Sequence, residues 1–540
     1  MAIYQIKQFS GGISDYEDRG ITGAFKFASN IDIRKRIDSL TCNQALVDEG
    51  LNPSSPSASA SPSSSASPSS SPSPTPSPSS SQSPSSSVSK SPSPSTGISD
   101  SPSVSPSASA SPSASASPSS SSSASPSPSS GLTTVFEDLI MFFVESKDGY
   151  LYGFGNTGCV YRRDSEGTWL RVYKTTDGAI KGAEEWYSSS GKVYLYFATD
   201  TLLYKKDISG SSTWNDVETV GNLTSADWHT MKQTGGALVI ANSGLLAYVG
   251  YDDSFSNEVV DFIPGNISKT IVERNGRAIV GTVRASDSTR GVNGAIDSEV
   301  PLAQVGTDGE VFYANMADSI PVTRFPGGGQ VNPGGVANKI KEVNFFEWEE
   351  GATSWIDKQS VGNMALFGVF SADSGKNGIY TYGRKAKNQP FVLNLDYAMD
   401  VDEIGAVISY NGKVIASYQD GSDFGVVAES STVKATGTYE GLDFKSPIKR
   451  PQNITNWKMA ELFMNPLPSG ASVEFWYKID KTGSFVKANT DDGSTSFSTA
   501  SGKKAVFFIT ANGQIFEPRV VLNPTGNSSP EVHRINIYFN

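Results

Sequence analysis

The sequence predicts an all-β protein: a six- or seven-bladed β-propeller with a C-terminal, jelly-roll-like β-sandwich and a disordered Ser/Pro/Ala-rich insertion. Three observations lead to this prediction. A strand–turn–strand pattern returns at regular intervals, the strand rhythm changes near residue 437, and one long tract holds almost only Ser, Pro and Ala. The predicted parts are 1–52, which complete the propeller or dock to a partner, 53–130 as the insertion, 131–436 as the propeller and 437–540 as the sandwich.

The N-terminal segment is too short to form an independent core, so we expect it to fold with the rest of the chain. It contains two strand-like stretches, Ile3 to Phe9 and Ser39 to Val47. Either could pair with the last blade, near residues 405–435, and so remove an open sheet edge.

The insertion contains no aromatic residue, and its only charges are Lys90 and Asp100. Such a segment cannot bury enough apolar surface to offset its chain entropy, so it should stay disordered and partly extended. We therefore expect it to leave one loop of the body and return to it.

The body repeats one pattern, a strand-like run, a Gly/Asn/Asp turn and a second strand-like run. A period of about 40 to 50 residues with several strands per unit is typical of propeller blades. Six copies are clear, and a degraded copy at VFYAN (311–315) would make seven; the alternative is a string of hairpins in another all-β fold. The clear copies are centred near residues 151, 194, 238, 279, 366 and 414.

After residue 437, longer strands with partly alternating polar and apolar residues are separated by Pro, Gly and Ser turns, which indicates a sandwich. The strands are WKMAELFMNPL (457–467), SVEFWYKID (472–480), KAVFFIT (504–510), IFEPRVVLN (515–523) and EVHRINIYFN (531–540).

Composition excludes several classes of function. The net charge of −12 disfavours tight phosphate binding, which needs many Lys and Arg. We interpret three short basic clusters as solvated surface: Arg34-Lys35-Arg36, Arg162-Arg163 and Lys445 to Arg450. Cys42 and Cys159 are too few for a zinc site or a disulfide scaffold and are expected to be small buried thiols. No apolar window suits a membrane anchor or an export signal, so synthesis in a cytoplasm without export is expected.

No catalytic constellation stands out, so we predict no enzyme activity, cofactor or metal. His229 is expected to make structural hydrogen bonds, and His533 to lie exposed on an edge or terminal strand. A propeller glycosidase would need two carboxylates, for which the candidates are Asp252-Asp253, Glu349-Glu350, Asp400 and Asp402.

A binding module is the main alternative to a structural role. In this alternative, the exposed tryptophans and tyrosines of the propeller loops would stack on surface glycans. The residues considered for this are Trp169, Trp186, Trp214 and Trp355.

Both ends of the chain carry a resemblance to a known family. Gly11-Gly12-Ile13-Ser14, Asn30-Ile31-Asp32-Ile33 and the basic stretch Arg34 to Leu40 resemble the opening of tailed-bacteriophage virion proteins, such as the tail-nozzle or tail-tube proteins of short-tailed phages. Ile37-Asp38 stands where that pattern often has Pro-Gly. The closing unit, Tyr439 to Asn540, looks like the sandwich that ends many phage propeller proteins.

This resemblance implies a virion structural component of the tail or neck, part of a conduit through which DNA passes without specific binding. Its partners would be copies of itself in a ring, hexameric in the nozzle case, and the adjacent phage tail or neck proteins.

We expect the tract from residue 53 to 130 to be dispensable for folding. Replacing it with a short Gly/Ser loop shortens a closed loop and changes its closure free energy by only about 1 to 2 kcal/mol. The melting temperature should shift by no more than about a few degrees. Loss of soluble protein after this deletion would contradict the predicted division of the chain.

Overall fold

The computed structural model describes residues 2–9, 13, 24–33, 39–50, 136–210, 214–234, 236–262, 265–274, 277–284, 302–305, 311–314, 332–335, 341–342, 363–370, 375–383, 392–445 and 455–540. The regular elements of these residues are β-strands and one 3-10 turn, which confirms the all-β class. The chain divides into two units, Met1–Ser55 with Leu132–Asn540, and Pro56–Gly131. The elements below belong to the first unit; the predicted insertion lies outside the described residues.

The N-terminal segment forms four short strands. They are β1 (Ala2–Ile6), β2 (Phe25–Ser29), β3 (Leu40–Thr41) and β4 (Gln44–Asp48).

Four antiparallel sheets of four strands each follow in chain order. The strands are β5 (Ile140–Glu145), β6 (Leu151–Gly155), β7 (Cys159–Arg163), β8 (Trp169–Lys174), β9 (Gly182–Tyr187), β10 (Val193–Ala198), β11 (Leu202–Asp207), β12 (Glu218–Asn222), β13 (Met231–Thr234), β14 (Ala237–Asn242), β15 (Leu245–Gly250), β16 (Phe255–Asp261), β17 (Asn266–Arg274), β18 (Arg277–Arg284), β19 (Leu302–Val305) and β20 (Val311–Ala314). Each strand pairs with its neighbour in sequence. The first strand of each sheet contacts the first strand of the next sheet.

Two further four-stranded units follow a 3-10 turn at Pro333–Gly335. One is β21 (Lys341–Glu342), β22 (Asn363–Val369), β23 (Gly378–Gly383) and β24 (Val392–Ala398). The other contains β25 (Glu403–Tyr410), β26 (Lys413–Asp420) and β27 (Asp423–Lys434), and its fourth strand is β4 from the N-terminus. Val427 pairs with Asp48 and Ala428 with Val47, so the prediction that Ser39 to Val47 pairs near residues 405–435 is confirmed.

The repeat recognised in the sequence is the middle hairpin of these units, such as β6–β7, β10–β11 and β26–β27. One predicted copy is wrong. The segment VFYAN contains β20, which pairs with β19 as the fourth strand of an existing sheet. The segment fell at about one repeat length after the copy near residue 279 because a long connection separates β18 from β19.

The C-terminal part contains two sheets that share one core. Its strands are β28 (Gly437–Gly441), β29 (Phe444–Lys445), β30 (Thr455–Met464), β31 (Ser472–Ile479), β32 (Val486–Lys487), β33 (Lys504–Gly513), β34 (Ile515–Asn523) and β35 (Glu531–Phe539). One sheet has the order β1-β35-β30-β33, and β3 also pairs with β35. The other contains β2-β28-β34-β31-β32, and β29 pairs with β34. Alternate residues of both sheets, including Trp457, Phe475, Phe516 and Ile537, are fully buried in one cluster.

One of the two pairings considered for the last blade is excluded, and the terminal strand is placed. The segment Ile3 to Phe9 does not supply the last blade, because β1 pairs with β35 instead. β35 is the C-terminal strand but not an edge strand, since it lies between β1 and β30. His533 on this strand is exposed, as expected.

β2 joins the C-terminal part to the four-stranded units. It pairs antiparallel with β28 and parallel with β24, which produces one ten-stranded sheet. Side-chain amides reinforce this junction: the backbone N–H of Ala398 donates to Asn30 Oδ1 at 2.7 Å, and Asn43 Nδ2 donates to the Asp396 carbonyl at 2.8 Å. The N-terminal segment is therefore built into both parts of the molecule.

Candidate functional site

The first and last four-stranded units lie against each other. β25 contacts β5, and Ser417 Oγ donates to the Ile140 carbonyl at 2.6 Å while it accepts the Ala406 N–H at 2.8 Å. A Cβ at Gly405 would lie 2.2 Å from the Ile140 carbonyl oxygen, so only glycine allows this close approach. These contacts join the two ends of the series of four-stranded units.

Glu49 reinforces the same closure from the N-terminal segment. It follows β4, which belongs to the last unit, but its carboxylate contacts the first. Arg163 Nε donates to Glu49 Oε2 at 2.7 Å, and a second guanidinium N–H bonds the other oxygen. Trp169 Nε1 donates to Glu49 Oε2 at 2.9 Å, and the Trp169 backbone N–H donates to the Gly50 carbonyl at 2.9 Å. One carboxylate thus binds two strands of another sheet.

This ion pair is largely removed from solvent, with both side chains 9% exposed. Burial by itself would lower the pKa of Arg163, but the hydrogen bonds and charge of Glu49 outweigh it and raise that pKa. The surface interpretation of the Arg162-Arg163 cluster is therefore wrong for Arg163. The clusters at Arg34 to Arg36 and at 446–450 lie outside the described residues.

The tryptophans weighed as a glycan platform are core residues. Trp169, Trp186 and Trp214 are 0%, 2% and 6% exposed, which contradicts their expected exposure. Trp355 lies outside the described residues. The sequence does not distinguish a buried tryptophan from an exposed one, because an aromatic side chain packs inward or outward according to its neighbours in the folded structure.

His229 is fully buried between two sheets. Its Nδ1 lies 2.8 Å from the Ala241 carbonyl oxygen and its Nε2 lies 3.0 Å from that of Asp200. Burial lowers the pKa of this histidine, against the opposing effect of the two carbonyls. A neutral imidazole has one N–H, so it donates to one carbonyl at a time. The ring links strands and has the structural role expected of it.

The described carboxylates among those considered for hydrolysis are exposed. Asp252 accepts hydrogen bonds from the backbone N–H and the hydroxyl of Ser254, and these bonds lower its pKa. Asp402 accepts the Gly421 N–H at 2.8 Å. Asp253 and Asp400 are exposed, and Glu349-Glu350 lie outside the described residues.

Cys42 and Cys159 are free, buried thiols whose pKa burial raises, as expected for core residues. Within the described ranges, no group of three or more His, Cys, Asp or Glu side chains is placed to hold a metal ion. None of the helical structure in those ranges is long and apolar enough to cross a membrane.

The sheet β1-β35-β30-β33 presents an apolar row on its outward face. Ile3, Tyr538, Met459 and Phe508 are register partners across its four strands. Ile3 and Phe508 are each 48% exposed. The alternation of β33 could have indicated this surface, because Phe507 and Phe508 are adjacent and must point to opposite faces. We call these four residues the apolar row.

No protein-family model matches the chain, and no curated protein does. Similar solved structures include the Cps50 (Swd1) β-propeller domain of Myceliophteria thermophila, 11% identical over 55% of this chain and 98% of that chain, with a TM-score of 0.34. Another is an exo-β-1,3-galactanase of Phanerochaete chrysosporium, 9% identical over 74% of this chain and 99% of that chain, with a TM-score of 0.26. Similarity at this level assigns no activity to the chain.

Substituting Glu49→Ala should destabilise the protein strongly. The change leaves the buried Arg163 guanidinium and the Trp169 N–H without their carboxylate, which costs about 3 to 5 kcal/mol of unfolding free energy. Chemical denaturation should give a lower unfolding free energy for Glu49→Ala than for the control Glu166→Ala. Glu166 is an exposed glutamate in the turn between β7 and β8. Equal stability of the two variants would show that Glu49 does not hold the closure.

His229 should make the protein sensitive to mild acid. Its pKa is lowered in the fold, so the unfolded chain takes up the proton first, near its ordinary pKa of about 6.5. The contribution of the neutral histidine to the unfolding free energy is complete above that pH. It is lost as pH falls below it, by at most about 1.4 kcal/mol per pH unit. The unfolding free energy, measured from about pH 7.5 to about pH 5, should fall as the pH falls, and His229→Gln should reduce this dependence. Equal pH dependence of the two proteins would contradict this role.

Proposed function

We propose that the protein is a non-enzymatic structural component of a bacteriophage virion, a nozzle-like ring protein of the tail or neck. In this proposal the six four-stranded units of the described residues are six propeller blades, and the two C-terminal sheets form a β-sandwich. The protein acts mechanically, through surfaces that contact copies of itself and neighbouring tail or neck proteins.

The contacts between successive units support the propeller arrangement. The first strands of the first four sheets follow one another as neighbours, and β25 of the last unit contacts both β22 and β5. β4 completes the last unit and Glu49 binds the first, a closure that protects sheet edges. The pairing of β20 with β19 favours six blades over seven.

The observation that carries the proposed role is the placement of the N-terminal segment. The residues that resemble phage virion proteins, such as Asn30 and Ile31, lie beside β24, where the last strand of a four-stranded unit joins the C-terminal part. Continuous hydrogen bonding from β24 through β2 to β28 couples the two parts, so a load on one part is transmitted to the other. Such coupling suits a protein whose surfaces hold neighbouring layers of a particle.

The apolar row supports an assembly surface on the C-terminal part. Exposed apolar groups aligned across a sheet are typical of protein interfaces. Cations lie on the same face, since Arg534 stacks over Phe463 and Lys504 pairs with Glu461. In a conduit, the overall charge of −12 would repel DNA phosphates and prevent adhesion to the passing genome.

The alternative functions have less support. A glycan-binding propeller would need exposed tryptophans, and the described ones proposed for it are buried. A glycosidase would need a pair of carboxylates across a cleft, whereas Asp252 stabilises its own turn and Asp402 accepts the Gly421 N–H of the turn between β26 and β27.

The direct test is the composition and structure of purified particles of the phage that carries the gene. Mass spectrometry should find this chain together with the other tail proteins, and cryo-electron microscopy should show it as a symmetric ring around the tail axis. Particles that contain every other tail protein but not this chain would refute the proposal.

Substituting Phe508→Glu should block assembly without unfolding the subunit. Phe508 is 48% exposed, so its replacement should change stability by no more than about 0.5 kcal/mol. An unpaired carboxylate buried in an interface is unfavourable by several kcal/mol, so incorporation into particles should fall by about tenfold or more. The matched control is Val259→Glu on the outer strand β16, where Val259 is 47% exposed. Normal incorporation of Phe508→Glu would exclude the apolar row as the assembly surface.

A further inference from the structure

Trp476 differs from the other described tryptophans. Trp169, Trp186, Trp214 and Trp457 are buried, and Trp228 packs against a core cluster. Trp476 is half-buried, lies on β31 between the inward-facing Phe475 and Tyr477, and belongs to no hydrophobic cluster of the described residues. Its side chain therefore lies on the outward face of the sheet β28-β34-β31-β32.

The indole is held in one orientation by a polar network. Trp476 Nε1 donates to Glu474 Oε2 at 2.9 Å, and Lys487 Nζ pairs with Glu474 Oε1 at 2.9 Å. Lys487 Nζ also lies 5.1 Å from the centroid of the Trp476 ring. The side chain of Glu474 is only 16% exposed, so these bonds are sheltered from water and fix the ring in advance of any contact.

The strands on both sides supply further planar and polar groups. Trp476 is the register partner of Lys487 on β32 and of Arg519 on β34. Arg519 Nε donates to Glu440 Oε1 at 2.9 Å, and its guanidinium lies 3.6 Å from the centroid of the Phe485 ring. Neighbouring strands are about 4.8 Å apart, so a saccharide of one or two rings stacked on the indole would also reach these groups.

This combination matches the chemistry of a carbohydrate. One face of a pyranose ring exposes C–H groups, which pack on the electron-rich face of an indole. Its hydroxyl groups both donate and accept, and they need carboxylate, amide, guanidinium and ammonium partners beside the ring. Glu474, Asn523, Arg519 and Lys487 provide all four kinds.

We propose that this outward face is a carbohydrate-binding surface, with Trp476 as the stacking platform and Glu474, Arg519 and Lys487 as hydroxyl partners. Around the ring, Glu474 pairs with Lys487, Glu440 with Arg519 and Glu517 with Lys478. The charges of these three pairs cancel, so the surface fits a neutral saccharide better than a polyanion. The inference does not rest on the virion role, since it concerns one surface of the C-terminal part.

The test uses the full-length protein on an array of purified bacterial polysaccharides, both neutral and uronic-acid-containing, followed by titration calorimetry with each polysaccharide that is retained. We expect retention of a neutral polysaccharide. Trp476→Ala should weaken binding by about tenfold or more while the melting temperature stays within about 2 °C of the original protein. Trp476→Phe, which keeps a smaller aromatic face, should recover part of the affinity.

Phe463→Ala is the matched control, because Phe463 is also an outward aromatic beside cations, 3.8 Å from Arg534 and 5.6 Å from Lys504, but on the other sheet. Its binding should equal that of the original protein. Retention of no polysaccharide, or equal binding by Trp476→Ala, would overturn the proposal. Binding only to uronic-acid polymers that high salt abolishes would also overturn it, as simple charge attraction. None of these outcomes bears on particle incorporation, so the two proposals fail independently.

Discussion

The closure made by β4 and Glu49 is the interaction on which the rest of the structure depends. A series of four-stranded units leaves an open strand edge at each end, and an open edge invites pairing with other chains. β4 covers β27, while the Glu49 carboxylate binds Arg163 and Trp169 in the first sheet. The partners are 114 and 120 residues from Glu49 in sequence, so the closure depends on long-range contacts.

The N-terminal segment, about fifty residues long, therefore has two structural roles. β4 completes a blade-like unit, whereas β1, β2 and β3 complete the C-terminal sheets. The intervening amides, such as Asn30 and Asn43, satisfy backbone groups on β24 and its neighbours. Because both pairings depend on one short piece of chain, we expect neither part of the molecule to fold completely without it.

The aromatic residues divide between the core of the blade-like units and the outward faces of the C-terminal sheets. The indoles of the blade-like units mostly fill gaps between sheets, as Trp169 and Trp186 do. The C-terminal sheets instead present different outward faces, one with the apolar row and one with Trp476 among balanced charges. An apolar face suits the protein partner of the proposed assembly, while a flat ring among hydrogen-bonding groups suits the proposed sugar.

The sequence by itself determined the β class and the repeating hairpins, because alternation and turn residues are local signals that a short window contains. It also indicated the change of rhythm near residue 437 and the structural role of His229. The sequence offered either N-terminal strand as the partner of the last unit. Only tertiary structure decided that β4 joins β27 while β1 joins β35, since pairing between distant segments has no local signature. It also decided which aromatic residues are exposed: adjacent residues of a strand point to opposite faces, and only the packing of whole sheets determines which face meets water.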